Sequence, residues 1–273
     1  MRRTTCLVLA GGLAALLAPV SADAQVLDVF QRLADRGLSP PPLVPTTVPP
    51  RFRPIDRTIQ GGPGRRRGAY LIRLEAFVRG GAIIAIEGGA YRSVRAALRD
   101  HRGESRSAIR VRGRRGFLFT TRRRDAYSVV WSEGGRVYAV GTGTTRNVSV
   151  RQLRALVAGL EPLGSSYGGG SSDPQKSSGA EVVTTRRTIT VYLEFEANCT
   201  FTPHAGQAQV VLMPLRGNSF SFDVARNRRG SAPWNGTVSG TVAADAVTLD
   251  YQVSGTIGGE SCSGAETLRL PRH

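Results

Sequence analysis

The second half of the chain alternates apolar and polar residues along several short segments. In residues 188 to 199, every second side chain from Ile189 to Ala197 is apolar, and the series ends at Cys199. A period of two puts successive side chains on opposite faces of a strand, so this segment predicts a strand with one buried face. The period recurs in four later segments, at Phe220, Phe222 and Val224; at Val238 and Val242; at Val247, Leu249, Tyr251, Val253 and Ile257; and at Leu268 and Leu270. We expect an antiparallel β sandwich or small barrel over residues 180 to 273.

The first half mixes helical and strand periods. Residues 26 to 36 carry apolar side chains at helical spacing, and Gly37 follows where a C-terminal cap belongs. Ser149 and Gln152 form a capping box before a second amphipathic helix, and residues 91 to 100 predict a third with its arginines outward. Short β-branched or aromatic segments predict strands at 69 to 78, 82 to 87, 107 to 112, 117 to 121, 127 to 132 and 137 to 140. We therefore expect an α+β domain, an antiparallel sheet covered by one or two helices.

Composition divides the chain into a Pro-rich segment, a linker and two domains. Residues 39 to 54 contain many prolines, which favour extended over helical backbone and fit either a linker or an ordered lead-in strand. Residues 164 to 179 are almost all small or polar, a composition typical of a flexible tether. The predicted domains are therefore residues 25 to 163 and residues 180 to 273.

The N-terminus has the pattern of an export signal. Arg2 and Arg3 precede an apolar stretch from Leu7 to Val20, and the small residues of a cleavage site end at Ala24. The alternative is an uncleaved membrane anchor, but the stretch is shorter than the ~20 residues that span a bilayer. We expect residues 1 to 24 to be a signal peptide and the mature chain to be extracytoplasmic, in the periplasm, the cell envelope or the medium. No later apolar run is long enough to span a membrane.

Removal of the signal leaves two cysteines, Cys199 and Cys262. In an oxidising compartment such a pair is typically bonded, and the link would stabilise the fold by ~4 kcal/mol in the chain-entropy model. Redox or metal thiols are the alternative. However, the chain has no Cys-x-x-Cys spacing, and its histidines, His101, His204 and His273, stand at unrelated positions. We expect a structural disulfide and neither a metal nor a cofactor.

The positive charge is confined to one predicted domain. Residues 25 to 163 carry 26 Lys+Arg against 10 Asp+Glu, whereas residues 164 to 273 carry 9 against 9. A basic domain joined to a neutral one favours an anionic partner for the first. The competing interpretation is a solvated face, because Lys176 is the only lysine and such an arginine excess also arises from genome composition.

Three arginine runs flank the predicted strands and are the candidate binding residues. Guanidinium groups bind phosphate or carboxylate in a bidentate manner. The runs are Arg65, Arg66 and Arg67; Arg112, Arg114 and Arg115; and Arg122, Arg123 and Arg124. An anionic envelope polymer, an acidic lipid or an acidic protein fits an exported chain. Export, few interleaved aromatic residues and the lack of a recognised motif disfavour nucleic acid.

The sequence contains no catalytic signature. Gly259 to Ser263 resembles a nucleophile elbow but lacks the second glycine at the required spacing. We therefore expect a non-enzymatic protein, with a hydrolase of dispersed active site or a purely structural surface protein as alternatives. A concave pocket with a buried carboxylate or His101 would favour the hydrolase. Large exposed apolar patches would favour the structural protein.

Two segments of the first half resemble extracytoplasmic half-barrel domains, those of lipoprotein carriers and periplasmic sigma-factor regulators. The segment Val44 to Phe52 resembles their Pro-rich lead-in. The strand ending at Trp131, the hairpin to Tyr138 and the helix from Val150 to Leu160 resemble their closing segment. The resemblance covers roughly residues 44 to 163 and fails in the arginine-rich middle. It implies a curved sheet that holds a lipid or a peptide and a non-enzymatic role, but it identifies no binding residue.

Overall fold

The computed structural model describes residues 24–47, 52–54, 69–76, 82–89, 91–123, 125–143, 148–227 and 234–273. Within these ranges the chain is mostly β strand and forms two antiparallel sheets, one of them a curled half-barrel. The predicted signal peptide lies outside the described residues except for Ala24, and so do Arg65, Arg66, Arg67 and Arg124.

Three helices belong to the first half of the chain: α1 (Ala24–Asp35), α2 (Val94–Asp100) and α3 (Val150–Ala158). Helix α1 ends as predicted, since Gly37 has a φ of 54° and its N–H donates to the carbonyl of Ala34. At α3 the Ser149 side chain accepts from the backbone N–H of Gln152, and the Gln152 side chain accepts from the Ser149 N–H. The predicted capping box is therefore confirmed.

The first sheet contains seven of the described strands. They are β2 (Phe52–Pro54), β3 (Tyr70–Ala76), β4 (Ala82–Gly88), β5 (Ser105–Val111), β6 (Arg114–Thr120), β7 (Tyr127–Glu133) and β8 (Arg136–Thr142), numbered after β1 (Leu43–Pro45) of the second sheet. Their order is β2-β3-β4-β8-β7-β6-β5, so β5 lies at one edge. Gly134 and Gly135, with φ of 57° and 77°, make the tight turn between β7 and β8, as two consecutive glycines between strands favour.

The second sheet joins β1 to the strands of the second half. These are β9 (Leu160–Gly170), β10 (Gly179–Thr185), β11 (Thr188–Cys199), β12 (His204–Pro214), β13 (Ser219–Asp223), β14 (Asn235–Val242), β15 (Ala246–Ile257) and β16 (Glu260–Pro271). A four-residue helix, α4 (Val224–Asn227), interrupts a region in which the sequence predicts strands alone. Strand β11 pairs with β10 and β12 along most of its length and with β16 only at Asn198 and Cys199.

The predicted disulfide is confirmed at this junction. Cys199 of β11 lies directly opposite Cys262 of β16, with their Cα atoms 4.1 Å apart, and the two are bonded. Cys262 is buried among the apolar residues of the second half. The bond therefore links β11 to β16 where their pairing consists of two residues.

Half of the predicted tether is regular strand. Residues 164 to 170 complete β9, which pairs antiparallel with β10, and residues 171 to 178 connect these two strands. Tyr167 is buried, and the hydroxyl of Ser166 donates to Asp35 of α1 at 3.1 Å. Ladder hydrogen bonds and these two side chains hold a glycine-rich segment that composition alone assigns to flexible chain.

The larger apolar core is shared between the two sheets. Leu27, Phe30 and Leu33 of α1 are buried together with residues of β3, β4, β7 and β8 and with Val183 of β10 and Leu212 of β12. Burying one such side chain contributes ~2 kcal/mol. The second core lies wholly within the second half, around Phe195, Trp234 and Tyr251. Helix α1, from the basic half, thus packs against strands of the neutral half.

The Pro-rich lead-in is ordered where the structure describes it. Strand β1 pairs with β9, and the hydroxyl of Tyr70 accepts from the N–H of Leu43 at 2.6 Å and donates to its carbonyl at 3.2 Å. Burial raises the pKa of the Tyr70 hydroxyl, which keeps it protonated for this contact. Gly88 provides the space, since a Cβ there would lie 2.1 Å from the Tyr70 ring.

Candidate functional site

The candidate site lies on the face of the first sheet against which α2 packs, which we call the α2 face. Ala97 of α2 is buried there in a small cluster with Phe119, Val130 and Val137. The opposite face belongs to the larger core and carries Trp131 and Tyr138, stacked with ring centroids 5.3 Å apart. These two aromatic rings are therefore core residues.

Strand alternation places three arginines of the β5–β6 hairpin on the α2 face. Phe117 of β6 lies opposite Ala108 of β5, so Arg106 and Arg110, two residues to either side of Ala108, share its face. Arg110 lies directly opposite Arg115. All three arginines are exposed.

Phe117 organises two of these guanidinium groups. The guanidinium carbon of Arg106 lies 5.6 Å from the centre of the Phe117 ring, and that of Arg115 lies 5.7 Å from it. Cation–π attraction at this distance contributes ~0.5 to 1 kcal/mol at an exposed site. The ring thus restrains two long side chains that otherwise move freely in water.

Helix α2 and its flanking turns extend the positive surface. Arg92, Arg95 and Arg99 are exposed, as the helical spacing predicts. Arg122 is also exposed, and its Nε donates to the carbonyl of Gly103 at 3.1 Å, beside the end of α2. We define the arginine surface as the exposed residues Arg92, Arg95, Arg99, Arg102, Arg106, Arg110, Arg115 and Arg122.

Arg112 occupies an internal position, unlike the other described members of the predicted runs. With Gly113 it forms a two-residue turn between β5 and β6, with φ of 49° and 78°. Its Nε donates to Glu133 at 2.9 Å, its Nη2 donates to the same carboxylate at 3.3 Å, and its Nη1 donates to the carbonyl of Leu160. Because this guanidinium already donates to Glu133 and Leu160, Arg112 is not part of the arginine surface.

Glu133 shows the electrostatic effect of that contact. Burial pushes the pKa of its carboxyl upward, but hydrogen bonds from Arg112 and from the indole N–H of Trp131 outweigh burial, and the pKa lies below its usual value. Arg114 and Arg123, the remaining described members of the runs, are exposed but lie outside the surface defined above.

A pocket of about 350 Å³ borders the arginine surface on the α2 face. Strands β4 and β8 form its floor, and His101 and Glu104, in the turn after α2, form part of its rim. The Nδ1 of His101 lies 3.1 Å from Glu104, and the imidazole stacks on Phe119 with ring centroids 4.3 Å apart. The imidazole is thus oriented by a carboxylate on one side and by a ring on the other.

Glu87 lines the same pocket and is half-buried. Burial raises the pKa of its carboxyl, and it makes no hydrogen bond or ion pair with another described residue. Burial, followed by the negative charges of Asp100, Glu87 and Glu104, also raises the pKa of the Tyr91 hydroxyl.

Sequence reasoning did not find the Arg106, Arg110 and Arg115 group or the pocket. The first could have been found, because alternation in residues 105 to 111 puts Arg106 and Arg110 on one face. The pocket could not, because its lining comes from four separate segments of the chain. No three metal-ligating side chains come together anywhere in the described ranges.

Comparison with known proteins does not identify a family. No protein-family model, curated protein or solved structure matches the chain. None of the described helices is long and apolar enough to cross a lipid bilayer. Inference about function therefore depends on the charges and geometry of the α2 face.

Proposed function

We propose that this chain is a non-enzymatic binding protein of the cell envelope and that its arginine surface holds an anionic polymer. The observation that carries the proposal is the charge of residues 91 to 123. Ten of the eleven arginines in that segment are exposed, and its acidic residues are Asp100 and Glu104. Guanidinium groups gathered on one face attract polyanions and can each bind an oxyanion in a bidentate manner.

A polymer fits this surface better than a lipid bilayer. Surfaces that insert into membranes combine basic residues with exposed Trp, Phe or Leu side chains. Among the described residues, the large apolar side chain that is exposed is Phe201, which lies between β11 and β12 and not on the arginine surface. The same absence of an apolar patch disfavours a purely structural surface protein.

Export and a division of roles between the halves belong to the same proposal. The N-terminal pattern of residues 1 to 24 supports export, and the Cys199–Cys262 bond is compatible with an oxidising extracytoplasmic compartment. We assign polymer binding to the α+β half, and the presence of a curled half-barrel sheet in the fold accords with the resemblance to half-barrel domains. The disulfide-linked β half, a sandwich in this proposal, serves as a second interaction module.

A hydrolase is the second candidate, because the pocket contains His101 and the half-buried carboxylate of Glu87. However, within the described part of the chain no hydroxyl or thiol forms a hydrogen bond with His101. A general base needs such a partner or a bound water to act on. Hydrolysis of a nitrophenyl ester by the wild-type chain, lost in His101→Gln, would support the hydrolase over the binding protein.

Binding of the full chain to linear polyphosphate and to polyglutamate across a salt series tests the proposal. We expect affinity that falls steeply with salt, because surface charges are screened within about 8 Å at physiological ionic strength. Replacement of Arg106, Arg110 and Arg115 by Gln should weaken binding about tenfold, at ~0.5 kcal/mol for each exposed contact.

The matched control is replacement of Arg216, Arg226 and Arg272, which are exposed on the second half, by Gln. It removes the same charge and should change affinity less than twofold. Equal losses in the two triple variants would show that net charge and not the arginine surface drives binding. Absence of binding to either polymer at low salt would refute the proposed function.

A further inference from the structure

The Arg110–Arg115 pair is electrostatically unfavourable in the free protein. The two residues lie directly opposite each other on β5 and β6, where Cβ atoms are typically about 5 Å apart. Like charges in such a pair destabilise a sheet. Within the described ranges neither guanidinium forms an ion pair with a carboxylate, which contrasts with Arg112 on the same hairpin. Among the residues that the structure describes, the pair thus has no internal counter-charge.

The surroundings of the pair leave room for a ligand. Ala108 is the only side chain between Arg106 and Arg110 on this face of β5, and it is exposed and small. Phe117, opposite Ala108, holds Arg106 and Arg115 beside its ring. Strand β5 is the last strand of the sheet, so none of the described strands covers the site from that side. Three guanidinium groups therefore border a small apolar floor that is open at the sheet edge.

We propose that Arg106, Arg110 and Arg115 form a phosphate-binding site and that the polymer bound by the arginine surface is phosphate-bearing. This inference rests on the proposed function and specifies its ligand. One guanidinium fork satisfies both oxygens of a carboxylate, whereas a phosphate presents further oxygens that a second and a third fork can bind. The guanidinium groups of Arg110 and Arg115 are adjacent and form no ion pair with a described carboxylate, so they suit a phosphate. The negative charge of the phosphate would also offset the repulsion between them.

Polyphosphate and polyglutamate of equal charge number separate the two ligand classes. We expect the wild-type chain to bind polyphosphate at least about tenfold more tightly, through the additional charge-assisted hydrogen bonds. The variant Arg110→Lys with Arg115→Lys keeps the charge but loses the forks. It should therefore lose most of the preference for polyphosphate while its affinity for polyglutamate stays within about twofold.

The matched control is Arg92→Lys with Arg95→Lys on α2, which makes the same exchange elsewhere on the arginine surface. We expect it to keep the preference for polyphosphate. Equal binding of the two polymers by the wild-type chain, or equal loss of preference in both double variants, would overturn the phosphate site and leave the proposed function standing. Binding to neither polymer would overturn both.

Two further arms distinguish the source of the phosphate. Inorganic phosphate tests whether an isolated phosphate suffices, and we expect it to compete with polyphosphate only at high concentration. Vesicles containing phosphatidylglycerol test a lipid source. Tighter binding to these vesicles than to polyphosphate of comparable phosphate concentration would overturn the assignment to a polymer.

Discussion

The turn and the α2 face of the β5–β6 hairpin give their arginines opposite environments. In the turn, Arg112 donates to Glu133 and to the carbonyl of Leu160, and it lies half-buried against the core. On the α2 face, Arg110 and Arg115 lie opposite each other, exposed and without an ion pair to any carboxylate that the structure describes. The difference shows that an arginine run in the sequence does not identify a binding site. The arginines that remain available for a ligand are those that form no ion pair with a carboxylate of the described residues.

Replacement of Arg112 should have the largest effect on stability. Asparagine tolerates the positive φ of this turn position, so Arg112→Asn removes the side-chain contacts without straining the backbone. We expect a loss of about 2 kcal/mol in the free energy of unfolding, because Glu133 and the Leu160 carbonyl lose a charged donor. Urea denaturation measures this loss. No change would mean that Arg112 is as dispensable to the fold as the exposed arginines.

Lowering the pH should weaken the contact between Arg112 and Glu133 without any mutation. The folded-state pKa of Glu133 is lowered, so its contribution is fully present above the unfolded value of about 4.3 and is lost as pH falls through the folded value. We expect a loss of about 1 kcal/mol over that window, because the protonated carboxyl holds Arg112 only weakly. Unfolding curves at several pH values should show this step in the wild-type chain and a smaller one in Arg112→Asn, because the indole N–H of Trp131 still donates to Glu133.

The carboxyl of Glu87 is half-buried and, among the described residues, has none of the hydrogen bonds that lower the pKa of Glu133, so its charge should destabilise the fold. Its folded-state pKa is raised, so the wild-type chain loses stability as pH rises from about 4.3 through the folded value. Glu87→Gln should therefore stabilise the fold at neutral pH by about 0.5 to 1 kcal/mol, since burial penalises the charge. Glu194→Gln is the control, because Glu194 is exposed and accepts from Tyr192 and Gln207. Destabilisation by Glu87→Gln would show that the ionised carboxylate makes a favourable contact in the folded protein.

Replacement of Arg110 should have the smallest effect on stability and a clear effect on binding. Arg110→Thr removes the like-charge pair and introduces a residue that favours strands, so we expect a gain of about 0.3 kcal/mol. The same variant should bind polyphosphate less tightly. Thermal unfolding and the binding assay, made on one preparation, measure both quantities. Lower stability would show that Arg110 has a favourable contact in the free protein and would remove the electrostatic argument for its role.

Much of the fold could be predicted because local patterns and tertiary contacts agree. The Ser149 capping box, the Gly134–Gly135 turn and the alternation from Val247 to Val253 each specify one structure, and each is observed. Strand β12 was not predicted, since its pairing with β11 contains a bulge that breaks the period of two. Residues 164 to 170 were assigned to a tether because pairing with neighbouring strands leaves no trace in composition.

The candidate site could be predicted only in part. The sequence places the charge in the correct half, but it draws attention to consecutive arginines such as Arg114 and Arg115 of β6. Consecutive residues of a strand point to opposite faces, so a shared face requires alternate or cross-strand positions. Arg110 and Arg115 meet that condition through the register of β5 and β6, which follows from the two-residue turn at Arg112 and Gly113.

The placement of β9 determines how the halves can be separated experimentally. The change in charge at residue 163 falls inside this strand, whose first residues pair with β1 and whose remainder pairs with β10. Expression of residues 25 to 163 alone would end the polypeptide at Leu163, a buried core residue, and would remove the strands that cover α1. Any loss of binding in a chain truncated at residue 163, where the charge changes, would therefore reflect misfolding. Dissection of this protein calls for point substitutions in an uncut chain.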